Sequence, residues 1–262
     1  SLILADHLIW KAVYGITALV MLPGLLMTLC IREPVGSYTK PTSLKQAVAE
    51  PFHEFISRRG LLNAFWALAF IFSYKLGDSM ATALATPFYL DLGYTKTEIG
   101  LIAKNAGLWC NVAGGLIGGL WMLRLGQNRS LWIFGVLQAL VILGFAWLAS
   151  QPHDAWRLAL VIAADSFGIG LGTAAFVAYT ANITHPAYAA TQFALFTSLA
   201  ATPRTVANAA TGLLVEGGSF QIMGGTFTFE GLGWERFFWV CFFAAIPGML
   251  LLFRVAPWHN PS

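Results

Sequence analysis

Apolar stretches too long for a water-soluble core are the most constraining feature of this chain. A helix needs roughly 20 apolar residues, at 1.5 Å each, to cross a bilayer core. Seven stretches are predicted to span: Trp10–Ile31, Leu61–Leu90, Glu98–Leu123, Leu131–Ser150, Trp156–Asn182, Ala190–Val215 and Phe237–Arg254. They lack the period-two alternation of barrel strands. In lipid the backbone must satisfy its own hydrogen bonds, so the spans are read as helices. Composition agrees, since 57% of the 262 residues are hydrophobic and 10% charged, against about 25% charged in a soluble domain. The expected fold class is an all-α membrane protein.

Loop charge orients the spans. Arg32–Arg59, Arg124–Arg129, Asn182–Ala189 and the C-terminal tail with Arg254 hold eight of the fifteen Lys and Arg, against Glu33, Glu50 and Glu54. The opposite connections carry Lys11, Lys96, Arg157 and Arg236 against Asp6, Asp91, Glu98, Asp154, Glu216, Glu230 and Glu235. The positive-inside rule places the first set, and the C-terminus, in the cytoplasm. The net charge of +3 comes largely from loop Lys and Arg, and no nucleic-acid partner is expected. Cys30, Cys110 and Cys241 fall in separate apolar stretches, so no disulfide framework, metal site or cofactor is expected.

The connection Arg32–Gly60 is the longest and reads as a linker. Turn formers open it, and Leu44, Ala47, Val48, Phe52, Phe55 and Ile56 then recur at helical spacing. A short amphipathic helix on the cytoplasmic face is predicted there. The organisation is one helix (1–31), a linker (32–60), and six further helices (61–262), as in a chain entered at the sixth helix of a six-plus-six transporter. The loop Glu216–Arg236 is a candidate small hairpin.

Five ionisable residues remain inside the spans: Lys75, Asp78, Lys104, Asp165 and Arg204. A charge at a helix centre costs about 2.5–3.5 kcal/mol on insertion scales, so such residues face the bundle or a cavity. Interhelical ion pairing alone would explain any one of them. Four helices placing charge in one depth band point instead to substrate binding or proton coupling. Lys75 and Asp78 are three apart and share a face. Arg204, Asn208 and Thr211 form a stripe, Lys104 and Asn111 lie seven apart with Trp109 between, and Tyr74 precedes Lys75. No His is mid-span, so coupling falls to Asp78 or Asp165. Gly114, Gly115, Gly118 and Gly119 repeat a small-xxx-small pattern, and Gly168, Gly170 and Gly172 crowd another span, marking close helix crossings.

Gly119–Arg129 resembles a degenerate form of the signature loop of the major facilitator superfamily, Gly-x-x-x-Asp-Arg-x-Gly-Arg-Arg. Gly119, Arg124 and Gly126 match, and Leu123 stands where the acid belongs. Tyr74-Lys-Leu-Gly-Asp-Ser79, the Gly168–Ala175 run, and Ala190-Thr-Gln-Phe-Ala-Leu195 leading to Pro203-Arg204 are similar to the AmpG-type muropeptide permeases of that superfamily. The resemblance spans nearly the whole chain. It implies the C-terminal six-helix bundle plus the preceding helix of a proton symporter in the bacterial inner membrane. It implies import of anhydro-muropeptides for cell-wall recycling, and through that a link to β-lactamase induction. The muramyl carboxylate would meet the intramembrane cations, and Gln192 joins the candidate site through its motif. The expected partners are this substrate, protons, membrane lipid and the missing N-terminal half. Acetyl-CoA-type or other organic-anion transporters of the superfamily are the runner-up. A membrane-embedded transferase is less favoured, because His153 and His185 lie near opposite faces without matching partners.

Overall fold

The computed structural model describes residues 9–31, 43–222 and 225–258. The chain divides into two compact units, Ser1–Lys40 and Pro41–Ser262. The first contains one helix, α1 (Trp10–Cys30), which carries Pro23 in its interior. Of the linker expected at 32–60, residues 32–42 lie outside the described residues.

In the second unit the predicted amphipathic helix is present as α2 (Leu44–Arg59). It ends at Gly60, whose φ of +77° is a conformation open to glycine. There the chain turns by 112° into the next apolar segment, Leu61–Asp91. So α2 lies across one end of the bundle rather than continuing a span. Phe55 is its buried anchor, whereas Phe52 and Ile56 remain exposed.

The segment expected as one helix over Leu61–Leu90 is divided into α3 (Leu61–Tyr74), α4 (Leu76–Ala83) and α5 (Ala85–Asp91). The interruptions fall at Lys75 and Leu84, whose ψ values of 4° and 13° depart from helical geometry. Next come α6 (Lys96–Ile102), a π-helical turn (Ala103–Gly107) and α7 (Leu108–Leu125). Thr95 starts α6 with a reciprocal capping box: its hydroxyl accepts from the Glu98 backbone while Glu98 accepts from Thr95. A one-residue turn at Gly126 leads into α8 (Gln127–Ala149), followed by α9 (Ala155–Ile183) and α10 (Ala189–Glu216). The candidate hairpin is present: β1 (Gly217–Ile222) pairs antiparallel with β2 (Gly225–Glu230), from Gly217 opposite Glu230 to Ile222 opposite Gly225. The last helix is α11 (Gly233–Val255).

Among the described residues, Lys96–Leu125, Gln127–Ala149, Ala155–Ile183 and Gly233–Val255 are long and apolar enough to cross a membrane, and the bent pair ending in Leu61–Asp91 makes a fifth candidate. At 28 residues α10 also has the length. Its hydroxyls, amides and Arg204 dilute its apolar character, as suits a helix that need not face lipid on every side.

The helices pack as neighbours of α9 and α11: α9 lies along α7 and α8, and α11 along α8, α3 and α4, while α10 packs on α3 and α4. Helix association in lipid relies on close packing, because tails are as apolar as the side chains they would replace. The α7–α9 crossing shows this. A Cβ on Gly114 would overlap the Phe167 carbonyl, one on Gly170 would overlap that of Asn111, and one on Gly118 would lie 3.2 Å from the Leu171 Cα. Gly115 and Gly119 face open space, so only one of the two overlapping glycine repeats forms the crossing.

Two aromatic cores result. One, near α2, includes Phe55, Phe70, Phe134, Phe176, Tyr179 and Leu252. The other, toward the hairpin, includes Phe88, Tyr89, Phe145, Leu158, Phe237 and Phe238.

Candidate functional site: a polar layer between two aromatic cores

Between the two cores, α4, α8 and α9 each bury a polar side chain. Ser79, Gln138 and Asp165 are buried there, at 8%, 6% and 8% exposure. The interruption at Lys75 brings a cation to the same layer. Lys75 Nζ lies 3.7 Å from Asp78 Oδ2, with both side chains mostly buried, and it also donates to Thr173 Oγ1 at 3.3 Å. Asp165 on α9 is within electrostatic reach of both Lys75 and Asp78.

The layer also holds an unpaired acceptor and an unpaired donor. Asp78 Oδ1 and Gln138 Nε2 are buried without hydrogen-bond partners. Both residues line a small recess with Tyr74, Gly135, Ile142 and Met249, at the lower limit of the space that holds one water molecule. Buried polar atoms of this kind call for an explanation such as a water, an ion or a changing proton. Gln138 was not among the sequence candidates. Its signal was available, as the one amide in the apolar run from Leu131 to Ala149.

Of the sequence candidates, the structure brings Lys75, Asp78 and Asp165 together. Tyr74 adjoins them but is committed to packing: its ring stacks on Phe176 at 5.7 Å and its hydroxyl donates to the Leu131 carbonyl at 3.2 Å. Lys104, Trp109 and Asn111 lie apart from the cluster, exposed along the π turn and α7. Arg204 is exposed on α10, on a stretch that also exposes Thr197, Ser198, Thr202 and Thr205. Among the described residues neither Lys104 nor Arg204 makes an ion pair. Asn208 belongs to α10, and its side chain lies outside the described residues.

Gln192 sits elsewhere, under α2. It is 1% exposed. Its Oε1 accepts from the His185 backbone at 2.7 Å. Its Nε2 donates to the Pro51 carbonyl at 2.9 Å and to Glu54 Oε2 at 2.7 Å. Arg58 extends this clasp, pairing with Glu54 at 2.6 Å and donating to the Ile183 carbonyl at 2.8 Å. Burial raises the Glu54 pKa, but the bonds from Gln192 and Arg58 outweigh it and hold the carboxyl below 4.5.

The bundle and its polar layer are those of a multi-pass membrane protein of the transporter type. The family profile of the Major Facilitator Superfamily matches residues 1–208, and the chain belongs to that superfamily. Within it the chain is 33% identical to the anhydromuropeptide permease of Escherichia coli K12, over 96% of this chain and 48% of that protein. It is 31% identical to putative transporter AmpG 4 of Rickettsia conorii, over 93% of this chain and 56% of that protein. An uncharacterized protein of Haemophilus influenzae is 44% identical over 98% of this chain and 59% of its own length. The chain thus spans about half the length of the curated relatives it matches.

Proposed function

We propose that this chain is the C-terminal portion of a proton-coupled importer of anhydro-muropeptides in a bacterial inner membrane, with the cationic end of the bundle in the cytoplasm. Residues 1–31 would contribute the last helix of the preceding half, 32–60 the cytoplasmic linker, and 61–262 the C-terminal bundle. The substrate reading is supported by similarity to a named anhydromuropeptide permease along 96% of the chain. The coupling reading rests on one observation: Lys75 pairs with Asp78 in a mostly buried layer, and the buried Asp165 lies within electrostatic reach of both. Protonating a carboxylate from one side would release Lys75 from part of its attraction, and deprotonation toward the other side would restore it.

The exposed polar face of α10 supports a cavity facing a second half. A guanidinium on a membrane-depth helix is costly against lipid and natural along water or substrate, and the threonines beside it, whose hydroxyls donate to carbonyls of their own helix, suit either setting. Arg204, Asn208, Lys104, Asn111 and Trp109 are therefore proposed to bind substrate. The cations would meet its carboxylate, and the indole would offer a face to a sugar ring. Tyr74 shapes the floor beside Lys75, and Gln192 holds the linker helix on which the rocking of the two halves depends.

The test is uptake of labelled anhydro-disaccharide by cells carrying the full-length protein. Lys75→Ala, Asp78→Asn and Arg204→Ala are each expected to abolish accumulation. Wild-type rates in all three would refute the assignment. Asp165→Asn or Asp78→Asn should keep counterflow in proteoliposomes while losing gradient-driven accumulation, and loss of both activities in both variants would argue against a coupling role.

A further inference from the structure

The sequence motif at the α7–α8 turn lacks its acid, and the structure shows what surrounds the cations it leaves behind. An open apolar groove of about 520 Å³ runs along the surface of α7, α8 and α9, lined by Trp121, Trp132, Phe134, Leu137, Leu140 and Phe167, and it ends at Trp258. Trp258 also lines a second, polar recess of about 490 Å³, with Gly126, Gln127, Asn128, Arg129 and Asn182. The two spaces therefore adjoin at one indole. The Arg129 guanidinium lies over that indole, 5.9 Å from its centroid. Among the described residues neither Arg124 nor Arg129 has an acidic partner, and at the acid's position Leu123 is 84% exposed.

We infer that this composite groove binds one phospholipid with an anionic headgroup, its acyl chain in the apolar part and its phosphate against Arg129. The two compartments have the polarity sequence of a lipid: an apolar channel along the bundle wall, an aromatic junction, and a cationic recess at the bundle's end. Indoles favour that junction because their rings are apolar and their N–H is polar. Trp132 is held in place there by donating from Nε1 to the Ala256 carbonyl at 3.0 Å, and Asn128 donates to the Pro257 carbonyl at 3.1 Å. These bonds fix the C-terminal end of α11 against α8 and give the recess a firm wall. The charge argument selects the headgroup. A guanidinium that pairs with no carboxylate among the described residues matches a phosphodiester, while Asn128 and Asn182, which donate to the Pro257 carbonyl and to Gln127 Oε1, shape the recess around it. A zwitterionic headgroup would bring its ammonium into the same cationic recess. The inference does not depend on the transported substrate, since none of the residues lining the groove is among those proposed to bind it.

Native mass spectrometry of the delipidated full-length protein tests this with dioleoylphosphatidylglycerol and dioleoylphosphatidylcholine, which share acyl chains and differ in headgroup charge. The glycerol lipid should bind about fivefold tighter, the magnitude expected for one basic residue near an anionic surface. Arg129→Gln should bring the two lipids level, Arg129→Lys should keep most of the preference, and Val136→Trp, which fills the groove, should weaken both. Equal binding by the wild type, or an unchanged preference in Arg129→Gln, overturns the proposal. So does displacement of the lipid by millimolar inorganic phosphate, which would make this a phosphate site. Should Arg129→Gln not fold, the wild type still decides: 1 M salt, where screening acts within about 3 Å, should erase the preference, and its persistence would refute the charge argument.

Discussion

Replacing Gln192 by leucine should loosen α2 from the bundle without unfolding the spans. Three hydrogen bonds disappear: one from the His185 backbone, one to the Pro51 carbonyl and one to the Glu54 carboxylate. Two neutral bonds contribute about 1 kcal/mol each, and one to a charged group about 1.5–3 kcal/mol. Glu54 is 18% exposed and keeps Arg58, so water recovers part of its loss. The introduced isobutyl group would in turn pack beside Phe55, whose ring meets Phe196 at 5.0 Å. The net cost is about 2–4 kcal/mol, concentrated on α2. Amide hydrogen exchange of the full-length protein in detergent reads this directly, because local opening free energy sets the rate. Amides of Leu44–Arg59 should exchange about 30- to 700-fold faster, at 1.4 kcal/mol per decade. Those of α8 and α9 should be unchanged. Less than about a threefold change in α2 would refute the clasp as its main anchor.

The same clasp should weaken in acid. The Glu54 pKa is depressed on folding, so its contribution is fully present above 4.5 and is lost as pH falls below that through the lowered value. Measured against the intrinsic exchange rate at each pH, protection of α2 should therefore fall in acid in the wild type and lose this dependence in Glu54→Gln. At the α7–α9 crossing, Gly114→Val should cost about 3 kcal/mol or more through overpacking, seen as a lower unfolding temperature in detergent, while Gly115→Val at its open neighbour should be close to neutral. Tyr74→Phe removes one buried hydrogen bond and should lower stability by about 1 kcal/mol; since its ring packing is kept, thermal unfolding should register only a small shift.

How far the sequence spoke for the fold depended on the kind of signal. Length and apolarity marked the spans of α7, α8, α9 and α11 because lipid imposes one requirement on every residue of a segment. Helical periodicity found α2 as well, but not its attachment. Phe52 and Phe55 look equivalent in a hydrophobic pattern, yet only Phe55 is buried, since Pro51 and Glu54 beside it meet Gln192. The interruption at Lys75 was illegible for a similar reason, since no proline marks it, whereas that at Leu84 had a local sign in Pro87, which has no N–H to give the Ala83 carbonyl. Among the site residues, spacing predicted the Lys75–Asp78 pair because i, i+3 contacts are local. The approach of Asp165 and Gln138 is tertiary and had no local counterpart.

The glycines show why these two levels belong together. Gly77, two residues past the interruption, sits so close to α11 that a Cβ there would lie 2.5 Å from the Cys241 carbonyl and 2.9 Å from the Ala245 Cβ. That approach draws α4 against α11 while α3 continues along the first core, and Lys75 occupies the joint between them. The cation is thereby held at a helix interruption, where its ammonium reaches Thr173 on α9 and Asp78 on its own helix. A side chain at Gly77 would push α4 outward and carry Asp78 away from the recess it shares with Gln138. Gly77→Leu should therefore impair transport as severely as Asp78→Asn, although Gly77 itself bears no charge. Retained accumulation in a folded Gly77→Leu protein would mean that the placement of the polar layer is not set by this crossing.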